Sequence, residues 1–426
     1  MKEDLLHYIW KYKLFDFKDL KTTAGETIQL IKIGHHNYNA GPDFLNANLI
    51  IDNQNWFGNV EIHIKSSDWY AHHHEVDTNY DAIILHVVWE DDVTVYNSEN
   101  NPIPTLVLKN LVDTTLLKNY RSLMQANTNW IPCENELTHV DVFVLNSWKE
   151  RLYFERLERK SLEIKTILNS NNFDFEATLF VLLCKNFGLK VNGEAFLQLA
   201  KSVEYSVVKK ARHNLKELTA LLFGQAGFLN ENLEDSYYKN LKEEFNFLKQ
   251  KFSLKPIAKQ HFSFFRMRPS NFPTIRIAQF SSLLFNNAHL FLQVMNANKK
   301  EKIYEIFNFN IDEYWRKHYD FNKKSKRSTA KKLSKPFIDL LIINTIIPLR
   351  FLYEQSRGEV GESKYLDLLR SVNPEKNSIT EKFDTLGVSV ENAFDSQSLL
   401  QLKNEYCTMR KCLQCAVGKT ILKRKA

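Results

Sequence analysis

Along the first hundred residues, apolar positions come in short runs near a period of two, broken by Gly, Asn and Asp. Beyond about residue 140 they recur every three or four residues over long stretches. The opening segment Asp4–Lys13 gathers Leu5, Leu6, Ile9 and Trp10 on one side, the pattern of a short amphipathic helix. Thr27–Ile33 is apolar on both faces, Ile28 and Leu30 against Ile31 and Ile33, and predicts a covered strand. The His-, Asn- and Gly-rich stretch Gly34–Pro42 predicts a loop. Phe44–Asp52 and Gly58–Ser66 predict a hairpin turning at Asn53-Gln54-Asn55, with Val60, Ile62 and Ile64 on one face of the return strand. Asp68–Tyr80 has room for a short helix only. Tyr80–Trp89 is almost continuously apolar and predicts a central strand, and Val93–Tyr96 and Thr105–Lys109 predict short ones.

The later stretches 141–169, 173–187, 213–223, 234–251, 274–294, 336–356 and 391–406 carry helical periodicity and almost no strand signal. The chain therefore reads as α+β. Residues 1–140 form an α/β domain with a mixed sheet, and residues 141–426 an all-α helical bundle. Residues 323–335 (KKSKRSTAKKLSK) hold seven basic side chains and predict an exposed, mobile loop between helices. No apolar run reaches the length of a membrane span, so none is expected. The first residues are acidic and lack a small-residue cleavage site, so no signal peptide is expected either.

Charge divides the chain in the same place. Residues 1–140 hold 10 Lys+Arg against 19 Asp+Glu, while the remainder holds 47 against 31, within an overall net charge of +7. Nine of the 13 histidines fall in the acidic part. Metal chemistry in the first part and polyanion binding in the second fit that split. The five cysteines are too few and too clustered for a secreted disulfide scaffold, which points to a reducing cytoplasm.

The chemistry concentrates on the predicted hairpin. Asp43 ends a loop where a strand begins, and Glu61, His63 and Lys65 alternate along the return strand on one face. Buried carboxylates and an imidazole need a cation or hydrogen bonds, and oxygen donors suit Mg²⁺ or Mn²⁺. At these residues the chain resembles the PD-(D/E)XK nuclease superfamily. That fold places an acid at the start of its second strand and an acid-X-Lys motif on the third. The resemblance covers roughly the first hundred residues and implies a restriction-endonuclease-like domain. Asp43 and Glu61 would be its metal ligands, His63 a ligand or base, and Lys65 the stabiliser of developing charge. In this chain His63 stands where the lysine is expected.

Other constellations surround this one. His72-His73-His74 follows the hairpin, with His72 and His74 as accessory ligands suited to Zn²⁺, and His86 lies inside the apolar strand. Cys407, Cys412 and Cys415 fall within nine residues, a density that points to metal. Cys133 is the best fourth ligand for Zn or an iron–sulfur cluster, and Cys184 reads as helix core. Arg266, Arg268 and Arg276 sit among aromatics and prolines, a composition suited to phosphate contact and base stacking. Over its whole length the chain resembles a family of uncharacterised bacterial proteins, found chiefly in Bacteroidetes and carrying a domain of unknown function. The stretches that carry this are Gly41–Phe44, Val60–His63, Leu85–Val88, Arg268–Pro273 and Tyr406–Gly418.

The leading expectation is a metal-dependent nuclease with a basic nucleic-acid-binding helical part. A non-catalytic nucleic-acid-binding protein with a degenerate nuclease fold is the alternative that the missing lysine favours. A His-rich zinc hydrolase acting through His63, His72 and His74 is the third.

Overall fold

The computed structural model describes residues 1–125, 128–359 and 362–424. The chain forms two compact units. Met1–Trp148 joins Leu402–Ala426 in the first, and Lys149–Gln401 makes the second. The mixed sheet near the N-terminus and the mostly helical remainder agree with an α+β chain. The tail differs from expectation: it follows the helical part in sequence, yet its contacts lie with the first unit.

Unit 1 opens with helix α1 (Glu3–Lys11). Acids stand in its first turn and a lysine in its last, matching the helix dipole. Its apolar face, Leu5, Leu6, Tyr8, Ile9 and Trp10, is buried. The sheet runs β1 (Leu20–Lys21), β2 (Thr27–Lys32), β4 (Phe44–Ile51), β5 (Gln54–Lys65), β6 (Ile83–Glu90) and β7 (Thr105–Val107), with β3 (His35–His36) paired to β4. Strands β1 to β5 pair antiparallel, whereas β5, β6 and β7 run parallel.

The hairpin turns one residue earlier than the sequence suggests. Asp52 (φ 47°) and Asn53 (φ 66°) form a two-residue turn, and Ile51 pairs with Gln54. Positive φ at both central positions matches the right-handed twist of the strands, and short polar side chains tolerate it best. Gly58 is required where β5 passes β6: a Cβ there would lie 2.4 Å from the Ala82 carbonyl oxygen. Ile31 is exposed, so β2 is covered on one face only. Val93–Tyr96 is not a strand. Only a bridge from Tyr96 to Pro102 forms there, around a turn held by the Asn97 side chain. Short helix α2 (Asp68–Ala71) links β5 to β6, and α3 (Thr114–Gln125) follows the sheet. Helix α4 (Val142–Ser170) carries the chain into unit 2.

Unit 2 packs helices around an aromatic core in which Phe180 stacks on Phe280 at 5.5 Å and Phe223 on Trp315 at 5.2 Å. Asp174, Asn214, Asp235, Asp312 and Asn377 cap helix starts by accepting backbone N–H groups. Lys335–Ser356 is, among the described residues, the helix long and apolar enough to span a bilayer. Seventy-eight per cent of its most apolar window is buried in the fold (78%), as expected of a core helix. The basic stretch 323–335 is not free-running. Lys331 and Thr329 bond the backbone of Arg316, and the Lys331 carbonyl accepts Gln279 Nε2 at 2.8 Å.

Candidate metal centre

Strand β5 supplies the middle of the site. Alternation sends Val60 and Ile62 to one face and Glu61 and His63 to the other, and all four are buried. Parallel pairing sets Glu61 opposite His86 on β6. His63 Nδ1 lies 2.8 Å from His86 Nε2. After β5, Ser66 and Ser67 both donate to the Asp92 carboxylate, tying the start of α2 to the loop after β6. The chain then reverses through His73, whose φ of 60° is left-handed. Such a conformation costs a non-glycine residue about 1–2 kcal/mol and persists only where the surroundings enforce it. The reversal brings His72 and His74 to His63. His72 Nδ1 is 3.1 Å from His63 Nε2, and one donor atom from each of the three lies within 4.8 Å of the others. His74 stacks on Tyr80 at 3.8 Å.

The carboxylates interlock with this group. Asp43 donates its backbone N–H to Glu61 Oε2 at 3.0 Å, and Asp43 Oδ2 accepts the Ile62 N–H at 3.0 Å. Asn37 pins the loop ahead of Asp43 by donating to the carbonyls of Ala40 and Pro42. Glu61 Oε1 lies 3.5 Å from His74 Nε2 and 3.7 Å from His63 Nε2. Asp43 Oδ2 also meets His7 Nε2 at 3.2 Å, and His7 lies 3.9 Å from Glu3 one turn earlier on α1. Glu3, His7 and Asp43 form a second set whose donor atoms lie within 4.8 Å of one another.

Burial decides the charge state. It pushes the Glu61 carboxyl up to about 9, with the negative charge of Asp43 adding to the effect. It drives His63 down to about 2, reinforced by the imidazoles of His86, His74 and His72, and His86 down to about 3. Both rings are therefore neutral, the form that ligates metal. For His7 burial opposes the charge, but the hydrogen bond and charge of Asp43 outweigh it and raise the pKa.

A family model described as "Protein of unknown function (DUF2851)" matches residues 3–378. The chain belongs to that family. No curated protein and no solved structure matches it. The DUF2851 match takes in the whole centre from Glu3 to His86, together with Cys133, and ends before Cys407, Cys412 and Cys415.

Of the residues expected from sequence, the structure brings together Asp43, Glu61, His63, His72, His74 and His86. Lys65 does not join them. It is exposed at the strand end, with its ammonium 4.0 Å from Asp92. Arg276 is buried, donates to Asn271 and Gln279 at 2.7 and 3.0 Å, and lies 3.8 Å over the Phe337 ring. It serves the core of unit 2 rather than a nucleic-acid surface. Arg266 and Arg268 are exposed, with Arg266 over the Phe265 ring. Cys133, Cys407, Cys412 and Cys415 are all buried and all in unit 1, and Cys184 is core of unit 2 as expected. Sequence reasoning missed Glu3 and His7. Their signal was i,i+4 spacing beside the apolar face of α1, which equally describes a solvated helix flank.

Proposed function

We propose that unit 1 is a metal-dependent hydrolase of phosphodiester bonds in DNA or RNA, its ion held by His63, His72 and His74 with Asp43 and Glu61 alongside. The meeting of three imidazoles and two interlocked carboxylates carries this reading, because so many lone pairs gathered at one place, from buried Glu61 and His63 out to exposed His72, suit a cation. Imidazole donors favour zinc or another late first-row ion over magnesium, with the Glu3–His7–Asp43 set able to take a harder ion. When bound, such an ion polarises a phosphoryl oxygen and acidifies a water.

The chain's own residues set the stage. His86 Nε2 accepts from His63 Nδ1 in the tautomer that leaves His63 Nε2 facing His72. Glu61, its proton held tightly until a cation arrives, is placed for acid–base work. Asp43 is fixed by the Ile62 N–H. Helix α1, the longer antiparallel strands β2, β4 and β5, short helix α2 and parallel strand β6 come in the order that the PD-(D/E)XK resemblance implies, with the two-residue strands β1 and β3 added, and this supports phosphodiesters as substrates. His63 in the lysine position gives the centre its imidazole character.

The three-histidine set also favours a second reading, a zinc hydrolase of small esters, since nothing in that ligand set demands a polyanion. Metal analysis of the purified chain, followed by cleavage assays on labelled DNA and RNA with Zn²⁺, Mn²⁺ or Mg²⁺, separates the two. Nucleic-acid cleavage lost in Asp43→Ala and Glu61→Ala is the expected result. Undiminished cleavage by both variants overturns the site, and ester hydrolysis without nucleic-acid cleavage selects the second reading.

A further inference from the structure

The tail of unit 1 holds a second cluster that the histidine centre does not use. Cys407 ends a π-helical turn, Leu402–Cys407, and Cys415 directly precedes the helix Ala416–Lys423. Between them the chain doubles back. Lys411 N bonds the Tyr406 carbonyl at 2.9 Å, and Cys415 N bonds the Lys411 carbonyl at 3.1 Å. Gly418 then passes so close to the Cys412 carbonyl that a Cβ would sit 2.2 Å from its oxygen, so only glycine fits. Hydrogen bonds draw this turn to the segment around Cys133. Lys403 Nζ donates to the Trp130 carbonyl at 3.1 Å, Arg410 to the Met124 carbonyl at 2.6 Å, and Arg424 pairs with Glu136 at 3.1 Å. Trp148 packs edge-on against Tyr406 at 5.1 Å.

The result is four buried thiols, none in a disulfide, within electrostatic reach of one another. Burial, and then the neighbouring sulfurs, hold Cys133, Cys407 and Cys412 above the ordinary thiol range. Burial pushes the Cys415 thiol up as well, against the opposing pull of the backbone N–H groups of Gly418 and Val417.

Spacing argues against a single tetrahedral ion. Tetrahedral zinc with bonds of about 2.3 Å needs its sulfurs about 3.8 Å apart. Among the described residues, the groups whose donor atoms lie within 4.8 Å of one another are the two histidine-containing sets, and no three of these sulfurs form another. Sulfurs that converge without closing on one point suit a centre with a separate iron beneath each ligand.

We infer that Cys133, Cys407, Cys412 and Cys415 ligate a four-iron iron–sulfur cluster, which ties the returning tail to the part of unit 1 that precedes the helical excursion. All of unit 2 lies in sequence between Cys133 and Cys407, so the cluster closes a very long loop. Its role is structural and uses none of the histidine ligands.

The test is the full chain, expressed and purified without oxygen and analysed for iron, acid-labile sulfide and zinc, with visible absorption and Mössbauer spectra. About four irons and four sulfides per chain are expected. Cys133→Ser and Cys412→Ser should each lose most of the iron, and His72→Ala should keep it. Iron-free protein carrying zinc that the cysteine variants lose overturns the iron–sulfur assignment, and protein without metal at these cysteines overturns the site. Should the serine variants not fold, the native protein's iron, sulfide and Mössbauer signature decide the matter alone.

Discussion

The histidine centre and the cysteine group share one unit but hold their donor atoms in opposite ways. In the first, rings on β5, β6 and the turn after α2 touch nitrogen to nitrogen, at 2.8 and 3.1 Å. In the second, turns of the tail hold the sulfurs in reach of one another but spread. Neutral imidazoles can be pressed together because each carries one proton and one lone pair, whereas thiolates repel until a cation separates them. A single ion is the natural guest of the first arrangement, and a multi-centre cofactor of the second. The contrast also follows from element type. Strand alternation and parallel register place histidines at fixed close intervals, while a loop built on hydrogen bonds and one glycine imposes no such interval on its thiols.

The comparison breaks most sharply through ligand deletion. His63→Ala or His72→Ala should lower hydrolysis at least a hundredfold while iron content stays unchanged, as steady-state rates and metal analysis on the same sample will show. If either variant also strips the iron, the two centres are not independent. Next in size is Cys412→Ser, which should cost unit 1 several kcal/mol of stability, since cluster binding is coupled to folding. Faster hydrogen exchange through Ala416–Lys423 and β1–β7 would report it, with unit 2 amides unmoved.

A third test uses acid and base on metal-free protein. His63 and His86 titrate near 2 and 3 when folded against 6.5 in a free chain, so the unfolded chain binds more protons below pH 6.5. Stability must fall as pH drops through that window. Glu61, raised to about 9 from 4.5, has the opposite sign: its contribution is full below pH 4.5 and is lost as pH rises towards 9. Added Zn²⁺ should flatten the alkaline limb in melting curves, and an unaltered limb would separate Glu61 from the ion. Of similar size, Arg276→Ala should destabilise unit 2 by about 2–4 kcal/mol through lost buried hydrogen bonds. Denaturant titration of Arg276→Ala beside Arg266→Ala, expected near zero, checks it. Lys65→Ala should be smallest, changing turnover less than about threefold because an exposed ammonium facing Asp92 does little for a buried centre. A loss comparable to that of His72→Ala would restore Lys65 to the chemistry.

How much of this was legible depended on the range of the interaction. Alternation along Val60–Lys65 already put Glu61 with His63, and the loop-to-strand step at Asp43 announced the other carboxylate. The main strands and the long helices of unit 2 followed from periodicity. Arg276 was misread because its local company of aromatics and prolines resembles an exposed binding loop. What buries it is Phe337, some sixty residues on, which no local pattern reveals. His7 escaped for a related reason, since its meaning comes only from packing beside Asp43. The tail was assigned to the helices it follows because periodicity carries no information on where a chain returns.

That return has a consequence for the timing of synthesis. The sheet of unit 1 leaves the ribosome early, but its closing segment, Leu402–Ala426, emerges only after every residue of unit 2. At the usual elongation rate that interval is on the order of ten to fifty seconds. For that time the surfaces that later receive the tail stand uncovered on a nascent chain, and Cys133 waits without its partners. Emergence of Leu402–Ala426, rather than formation of the sheet, is then the event that completes unit 1. A ribosome stalled before residue 402 would carry a finished helical unit beside an open first one.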